Sequence, residues 1–182
     1  MSTETATAPS PVAARSLREV ITHILDTHHA YLRGELPYFE QMIAKMCANH
    51  GQDRPELFAT QQILQDLRDD LMAHLEKEEQ VLFPYIAQLE DAQQHHLPGP
   101  EGCFPSVRYP IRMMLMEHDN VTDLLQNLRR TSNNYTAPDF ACANGRAFFT
   151  RLENCEADLH EHIRLENEVL FPKAVELEES QR

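Results

Sequence analysis

The chain has 182 residues, a net charge of −13, 42% hydrophobic residues and no tryptophan. This length suits one domain around one core, and the negative charge argues against binding to nucleic acid or to an anionic membrane surface. No apolar run approaches the roughly 20 residues of a membrane span. None of the four cysteines forms a Cys-x-x-Cys pair, so we expect buried, reduced thiols in a cytoplasmic protein.

The N-terminus, residues 1–15, is rich in Thr, Ala and Pro and has no apolar signal segment, so we expect a disordered tail. Ser16 and Glu19 then form a capping-box pattern that predicts the start of a first helix, bent near Pro37. Asp53 is predicted to cap a second helix.

Four long segments rich in helix-forming residues follow one another, separated by turn-like or proline-rich stretches, at about 16–48, 53–90, 107–132 and 139–178. Alternating β-branched runs are absent, so strands are not expected. The sequence therefore predicts an all-α domain over residues 16–179, folded as an up-down-up-down four-helix bundle.

A repeat is visible within this layout. The motif His-x-x-x-Glu-x-x-Val-Leu-Phe-Pro occurs at residues 74–84 and again 88 residues later at 162–172. Nearly the same offset, 89 residues, relates His29 in the first helix to His118 in the third. The chain therefore looks like two tandem helical hairpins, each with a lone histidine and a His/Glu pair.

The repeated His/Glu pairs have the spacing of metal ligands. A histidine and a glutamate four residues apart lie on one face of a helix, so both can reach the same interior point. Each pair lies in an apolar stripe, where an unpaired carboxylate would be costly. His29 and His74 lie 22 and 23 residues from the turn at residue 51, level with each other in an antiparallel hairpin. We therefore predict one core metal site with six ligands: His29, His74, Glu78, His118, His162 and Glu166.

The number of ligands indicates two metal ions. Four imidazoles, two bridging carboxylates and one bridging oxide or hydroxide fill about ten of the roughly twelve positions of two octahedral metals. The remaining positions are open to a small diatomic molecule or a peroxide. Mixed imidazole and carboxylate ligands favour iron or manganese over zinc alone. The donor set therefore predicts two ions of iron or manganese.

Some residues beside these ligands are harder to place. His28 competes with His29, because a helical wheel does not separate adjacent positions on this broadly apolar helix. Glu79 and Glu168 are expected to turn away from the site, and the run 113–116 (Met-Met-Leu-Met) is expected to be core. The Val-Leu-Phe-Pro runs are expected to give core packing and a helix kink. The remaining histidines are expected outside the site: His23, His50, His95, His96 and His160.

These motifs resemble the hemerythrin-like, or HHE cation-binding, domain, and more closely the repair-of-iron-centres di-iron proteins. The resemblance covers about residues 16–176 and includes the two long motifs, His23-x5-His29, Glu117-His118-Asp119 and Thr131-Ser-Asn-Asn134. It implies two non-haem iron ions, Fe2+ or Fe3+, and four terminal histidine ligands, with His29 rather than His28 as the first. It also implies two bridging carboxylates, Glu78 and Glu166, and a proton-relay role for Glu117.

The resemblance further implies a role in repairing iron–sulfur clusters damaged by nitric oxide or oxidative stress, through iron donation. Family members often carry an N-terminal domain with paired cysteines, and only about 15 residues precede the first helix here, so a function that depends on that domain is left open. One alternative is an enzyme that reduces nitric oxide or peroxide, and another is a carrier or sensor of O2 or nitric oxide. The complete ligand set argues against a purely structural bundle.

Overall fold

A computed structural model describes residues 15–181 of the chain. Within that range the chain forms four long helices and no strand, which confirms the predicted all-α four-helix bundle. The segments of the helices are Leu17–His23, Ile24–His29 and Ala30–His50 in α1; Glu56–Lys77, Glu78–Leu82 and Phe83–Gln94 in α2; Arg108–Thr131 in α3; and Ala143–Leu165, Glu166–Leu170 and Phe171–Ser180 in α4. The middle segment of α1, α2 and α4 is π-helical. The predicted tail, apart from Arg15, lies outside the described residues.

Two helix starts differ from the prediction. Asp53 does not cap α2; its backbone N–H donates to the His50 carbonyl, and Pro55 takes the cap position. The last helix begins at Ala143 rather than at residue 139. Residues 133–135 adopt left-handed φ angles of 50°, 54° and 56° in the preceding connection, a conformation that asparagine tolerates better than most residues. Pro37 lies inside the continuous α-helical segment Ala30–His50.

A buried glutamate carboxylate accepts backbone N–H groups at the start of α1, and another accepts one at the start of α3. The predicted capping box of Ser16 and Glu19 is present, and the buried Glu90 carboxylate also accepts the Leu17 backbone N–H at 2.7 Å. Glu178, 88 residues after Glu90, accepts the Val107 backbone N–H at 2.8 Å. Carboxylates at helix N-termini satisfy free N–H groups and oppose the helix dipole. The tandem repeat therefore extends to this end of the bundle.

We expect Glu90→Gln to lower the free energy of unfolding by about 1–2 kcal/mol, because the charged acceptor of the Leu17 and Arg18 backbone N–H groups is lost. Urea unfolding of the two proteins measures the difference. Glu101→Gln, in the exposed loop between α2 and α3, is the control and should change stability little. Equal effects of the two substitutions would contradict this role for Glu90.

The bundle interior has two apolar clusters on either side of the predicted ligands. One cluster includes Leu36, Leu71 and Phe148, and the other includes Ile24 and Ile86. Along every helix the predicted ligands lie around the change from residues of one cluster to residues of the other. The six predicted ligands therefore form a polar layer, and apolar side chains pack above and below it.

Two expectations about the core are wrong. Met114 is buried, but Met113, Leu115 and Met116 are exposed, because a run of four consecutive helical residues covers every face of the helix. Cys47 and Cys155 are buried, whereas Cys103 and Cys142 are exposed; all four are free thiols. Across residues 15–181, the helices are too short or too polar to cross a membrane.

Candidate metal centre

The six predicted ligands meet in the buried polar layer. Each is at most 3% exposed. They form two groups of four whose ligand atoms lie within 4.8 Å of one another, and both groups share Glu78 and Glu166. The first group adds His29 and His162, and the second adds His74 and His118.

The structure pairs the histidines, which the sequence did not. His29 Nε2 lies 3.2 Å from His162 Nε2, so α1 and α4 supply the first pair. His74 Nε2 lies 3.2 Å from His118 Nε2, so α2 and α3 supply the second. Each pair thus joins the two halves of the repeat.

Both glutamates divide their two oxygens between the pairs. Glu78 places Oε2 3.4 Å from His29 Nε2 and Oε1 3.3 Å from His74 Nε2. Glu166 places Oε1 3.1 Å from His162 Nε2 and Oε2 3.0 Å from His118 Nε2. In this arrangement each carboxylate could bridge two neighbouring cation positions.

The separations within each group suit a metal ion. Ligands at right angles around an ion, each about 2.1 Å from it, lie about 3 Å apart. Among the described residues, both oxygens of Glu78 and Oε2 of Glu166 are buried and have no hydrogen-bond partner. Unpartnered buried carboxylate oxygens are costly, and a cation between each histidine pair would compensate them. The residues present therefore fit two metal ions.

A π-helical turn adjoins the predicted ligands on three of the helices. Phe83 N–H donates to the Glu78 carbonyl and Phe171 N–H to the Glu166 carbonyl, five residues back in each case. In α1 the π-helical turn ends at His29. Such bulges insert an extra residue and are frequent at functional sites. The proline after each phenylalanine has no N–H, so the Phe-Pro of the motif marks a break in regular helical bonding rather than only a kink.

The two phenylalanines of the repeated motif also form walls of the site. The Phe83 ring stacks on His29 with centroids 5.7 Å apart, and the Phe171 ring stacks on His118 at 6.0 Å. In each case a ring from the second helix of a hairpin covers the lone histidine of the first. The Val-Leu-Phe-Pro runs therefore contribute directly to the site, although Val81 itself is exposed.

Three of the four histidines are oriented by hydrogen bonds from Nδ1. His29 donates to Glu79 Oε1 at 2.8 Å, His74 to Glu117 Oε2 at 2.9 Å and His118 to Asn167 Oδ1 at 2.9 Å. These bonds leave each Nε2 facing the site. The expectation that Glu79 turns away is wrong: although it follows Glu78 by one residue, it reaches across to α1. Glu168 does turn away, toward Arg164.

The fourth histidine, His162, is supported differently. Its Nδ1 is buried and has no hydrogen-bond partner among the described residues. The buried His28 ring lies parallel to it, at 5.5 Å between centroids and 5° between planes. His28 donates from Nδ1 to Asp158 Oδ1 at 2.9 Å. His28 therefore lies behind His162 and belongs to neither group of four.

The charges of the layer are coupled. Burial lowers the pKa of His74, but the neighbouring carboxylates, with Glu78 the strongest of them, together outweigh burial and raise it to about 9. The same balance raises the pKa of His29. Burial would raise the pKa of Glu166, yet the charge of His162 and the neighbouring imidazoles hold it well below its usual range. Without a metal, a proton on His74 would offset part of the negative charge of the buried carboxylates.

The remaining histidines lie apart from both groups, as expected. His160 is exposed, as are His95 and His96 near the end of α2. His50 packs against the Phe140 ring at 4.6 Å between centroids, at the opposite end of the bundle.

Comparison with known proteins identifies the family of the chain. The model of the hemerythrin HHE cation binding domain matches residues 20–174, and the chain belongs to this family. It is 35% identical over 160 residues to the iron-sulfur cluster repair protein YtfE of Escherichia coli O1:K1, and equally so to that of Escherichia fergusonii. Each match covers 87% of this chain and 66% of the relative, so the chain spans just under two-thirds of these relatives' length.

Proposed function

We propose that this protein binds two non-haem iron ions and donates iron to iron–sulfur clusters damaged by nitric oxide or oxidative stress. The observation that carries the proposal is the division of the Glu78 and Glu166 oxygens between two histidine pairs. The proposal places the protein in the cytoplasm, with damaged iron–sulfur proteins as clients.

The donor set supports iron as the bound metal. Each position has two imidazole nitrogens and one oxygen from each of two carboxylates, a mixture that suits iron or manganese. Bound iron would supply a redox-active centre with positions open to nitric oxide, O2 or peroxide. The chain's own part is to hold three of the four imidazoles in place through Nδ1 and to exclude water with the two apolar clusters.

The donor set also suits release of the iron. Only two of the six ligands, Glu78 and Glu166, are anionic, so they neutralise half the charge of two ferrous ions. Iron as cargo must be held firmly enough to be stored and loosely enough to pass to another protein. The relatives named iron-sulfur cluster repair proteins support this direction.

A transfer assay tests the proposal. The protein is loaded anaerobically with Fe2+ and mixed with an iron–sulfur enzyme whose cluster has been damaged by nitric oxide. We expect the damaged enzyme to regain activity in proportion to the iron lost from this protein. Glu168→Ala should transfer iron equally well, because Glu168 is exposed and paired with Arg164. No recovery beyond that given by free Fe2+ at the same concentration would contradict donation.

Reduction of nitric oxide or peroxide is the alternative, and Glu117 is the residue that favours it. The Glu117 carboxylate accepts a hydrogen bond from His74 and is also paired with Lys77 at the surface. It therefore connects an imidazole of the site with solvent, as a proton relay requires. Catalytic loss of nitric oxide over the ferrous protein would support this enzyme, whereas a stable stoichiometric adduct would support a carrier or sensor.

We expect iron affinity to fall as the pH is lowered. The pKa of His74 is raised to about 9 and that of His29 is also raised, so iron must displace protons below that pH. Each displaced proton weakens binding about tenfold per pH unit. Competition with a chelator of known affinity, at about pH 6, 7 and 8, measures the slope. An affinity independent of pH would contradict imidazole ligation.

We expect His29→Ala to lower the iron content and His28→Ala to keep both ions. His29 Nε2 faces His162 Nε2 in the layer, whereas the Nδ1 of His28 bonds Asp158. Iron counts and visible absorption of the two variants after anaerobic loading make the comparison. Loss of iron from His28→Ala together with retention by His29→Ala would shift the assignment on α1 by one residue.

A further inference from the structure

The tandem repeat makes the two iron positions alike in their ligands but unlike in what supports those ligands. The histidine pair of each position contains one imidazole that donates to a carboxylate. His29 donates to Glu79 in the first position, and His74 donates to Glu117 in the second. A basic side chain in turn holds each carboxylate, Arg33 on Glu79 and Lys77 on Glu117.

The second imidazole of each pair breaks this equivalence. His118 donates to the Asn167 side-chain oxygen at 2.9 Å. His162 has a buried Nδ1 with no hydrogen-bond partner among the described residues. A hydrogen bond at the outer nitrogen fixes the ring and strengthens the inner nitrogen as a donor, and its loss costs about 10- to 100-fold in metal affinity. His162 is therefore the weakest-supported of the four histidine ligands.

Within residues 15–181, His162 lacks a hydrogen-bond partner at Nδ1 because of one difference between the two halves of the repeat, at His28. Glu117 precedes His118 and supports His74, so the repeat places His28, which precedes His29, beside His162. His28 does lie there, but it stacks face to face instead of accepting a hydrogen bond. Its Nδ1 is engaged by Asp158, and its Nε2 is buried without a partner among the described residues. In the first half of the repeat, His28 thus occupies the place that the supporting carboxylate Glu117 has in the second half.

We propose that the two positions release iron unequally, and that the position of His29 and His162 gives up its iron first and is the source of donated iron. His28 is the positioning residue that sets this difference. The inequality itself depends only on two metals being bound; its use in donation depends on the proposed function.

Release to a chelator tests the inequality without any activity assay. The protein is loaded anaerobically with two equivalents of Fe2+ and mixed with an excess of a chromogenic ferrous chelator. We expect two phases of equal amplitude, one iron each, with rate constants that differ about 10- to 100-fold. A single phase that releases both ions would overturn the proposal.

Two substitutions assign the phases. His28→Glu places a carboxylate beside His162, as Glu117 is placed beside His74. This substitution should slow the fast phase, while the slow phase stays unchanged. Glu117→Gln weakens the support of His74 and should accelerate the slow phase only. His160→Glu and Glu168→Gln, both at exposed positions of α4, are the matched controls. A fast phase that responds to Glu117→Gln and not to His28→Glu would overturn the assignment.

The chelator experiment tests unequal release separately from the assay of iron donation. Two phases with the expected variant responses, combined with no transfer to a damaged cluster, would keep the inequality and reject donation. If donation is correct, His28→Glu should also slow transfer by the same factor as it slows the fast phase. Unchanged transfer in that variant would reject this position as the source.

Discussion

Glu166→Ala is expected to reduce bound iron from two ions per chain to less than one. Glu166 is the ligand with both oxygens nearest the histidines, at 3.1 Å from His162 Nε2 and 3.0 Å from His118 Nε2. Its loss removes an anionic ligand from both positions at once, and three ligands remain at each. Iron per chain, measured by metal analysis after anaerobic loading and desalting, gives the result directly.

Glu168→Ala is the matched control, because it removes a carboxylate two residues away on an exposed face. It should retain two ions. We expect Glu78→Ala to behave like Glu166→Ala, whereas Glu79→Ala should show an intermediate loss because Glu79 orients His29. Equal iron contents in all four variants would show that the carboxylates do not bridge metals.

Loading with iron is expected to raise the melting temperature by on the order of 10–20 °C. Each ion present at 100 times its dissociation constant adds about 2.7 kcal/mol to stability. One kcal/mol shifts the melting temperature of a protein of this size by about 2–4 °C. The metal also relieves the repulsion between Glu78 and Glu166, whose ligand atoms lie within 4.8 Å of each other.

Thermal melting of the metal-free and the two-iron protein, followed by circular dichroism, measures the shift. Glu168→Ala should show the same rise as the unmodified protein, and Glu166→Ala should show little of it. Coincident melting curves for the metal-free and loaded proteins would mean that the buried carboxylates do not depend on a cation.

The six residues of the layer could be predicted because each half of the site is local. The His-x-x-x-Glu spacing fixes two ligands on one helical face, and an apolar stripe fixes which face is buried. The repeat then supplied the lone histidines His29 and His118. Periodicity and spacing along the chain contain this information for five of the six residues, and the choice of His29 over His28 came from the family resemblance.

The partners across the helices could not be predicted, because they depend on the relative rotation of helices that are distant in sequence. Glu79 is adjacent to Glu78 and was expected to face away, yet its longer reach takes it to His29 on α1. His28 could not be separated from His29 for the same reason. The π-helical turns were also missed: an extra residue per turn rotates the following side chains, and only the Phe-Pro of the motif hinted at it.

The most direct test of two bridged iron positions is a crystal structure of the loaded protein with anomalous scattering measured at the iron edge. We predict two iron peaks in the buried layer, about 3.5–4 Å apart. One should lie between His29 and His162 and the other between His74 and His118, with Glu78 and Glu166 contacting both. A single peak, or peaks outside this layer, would contradict the proposed site.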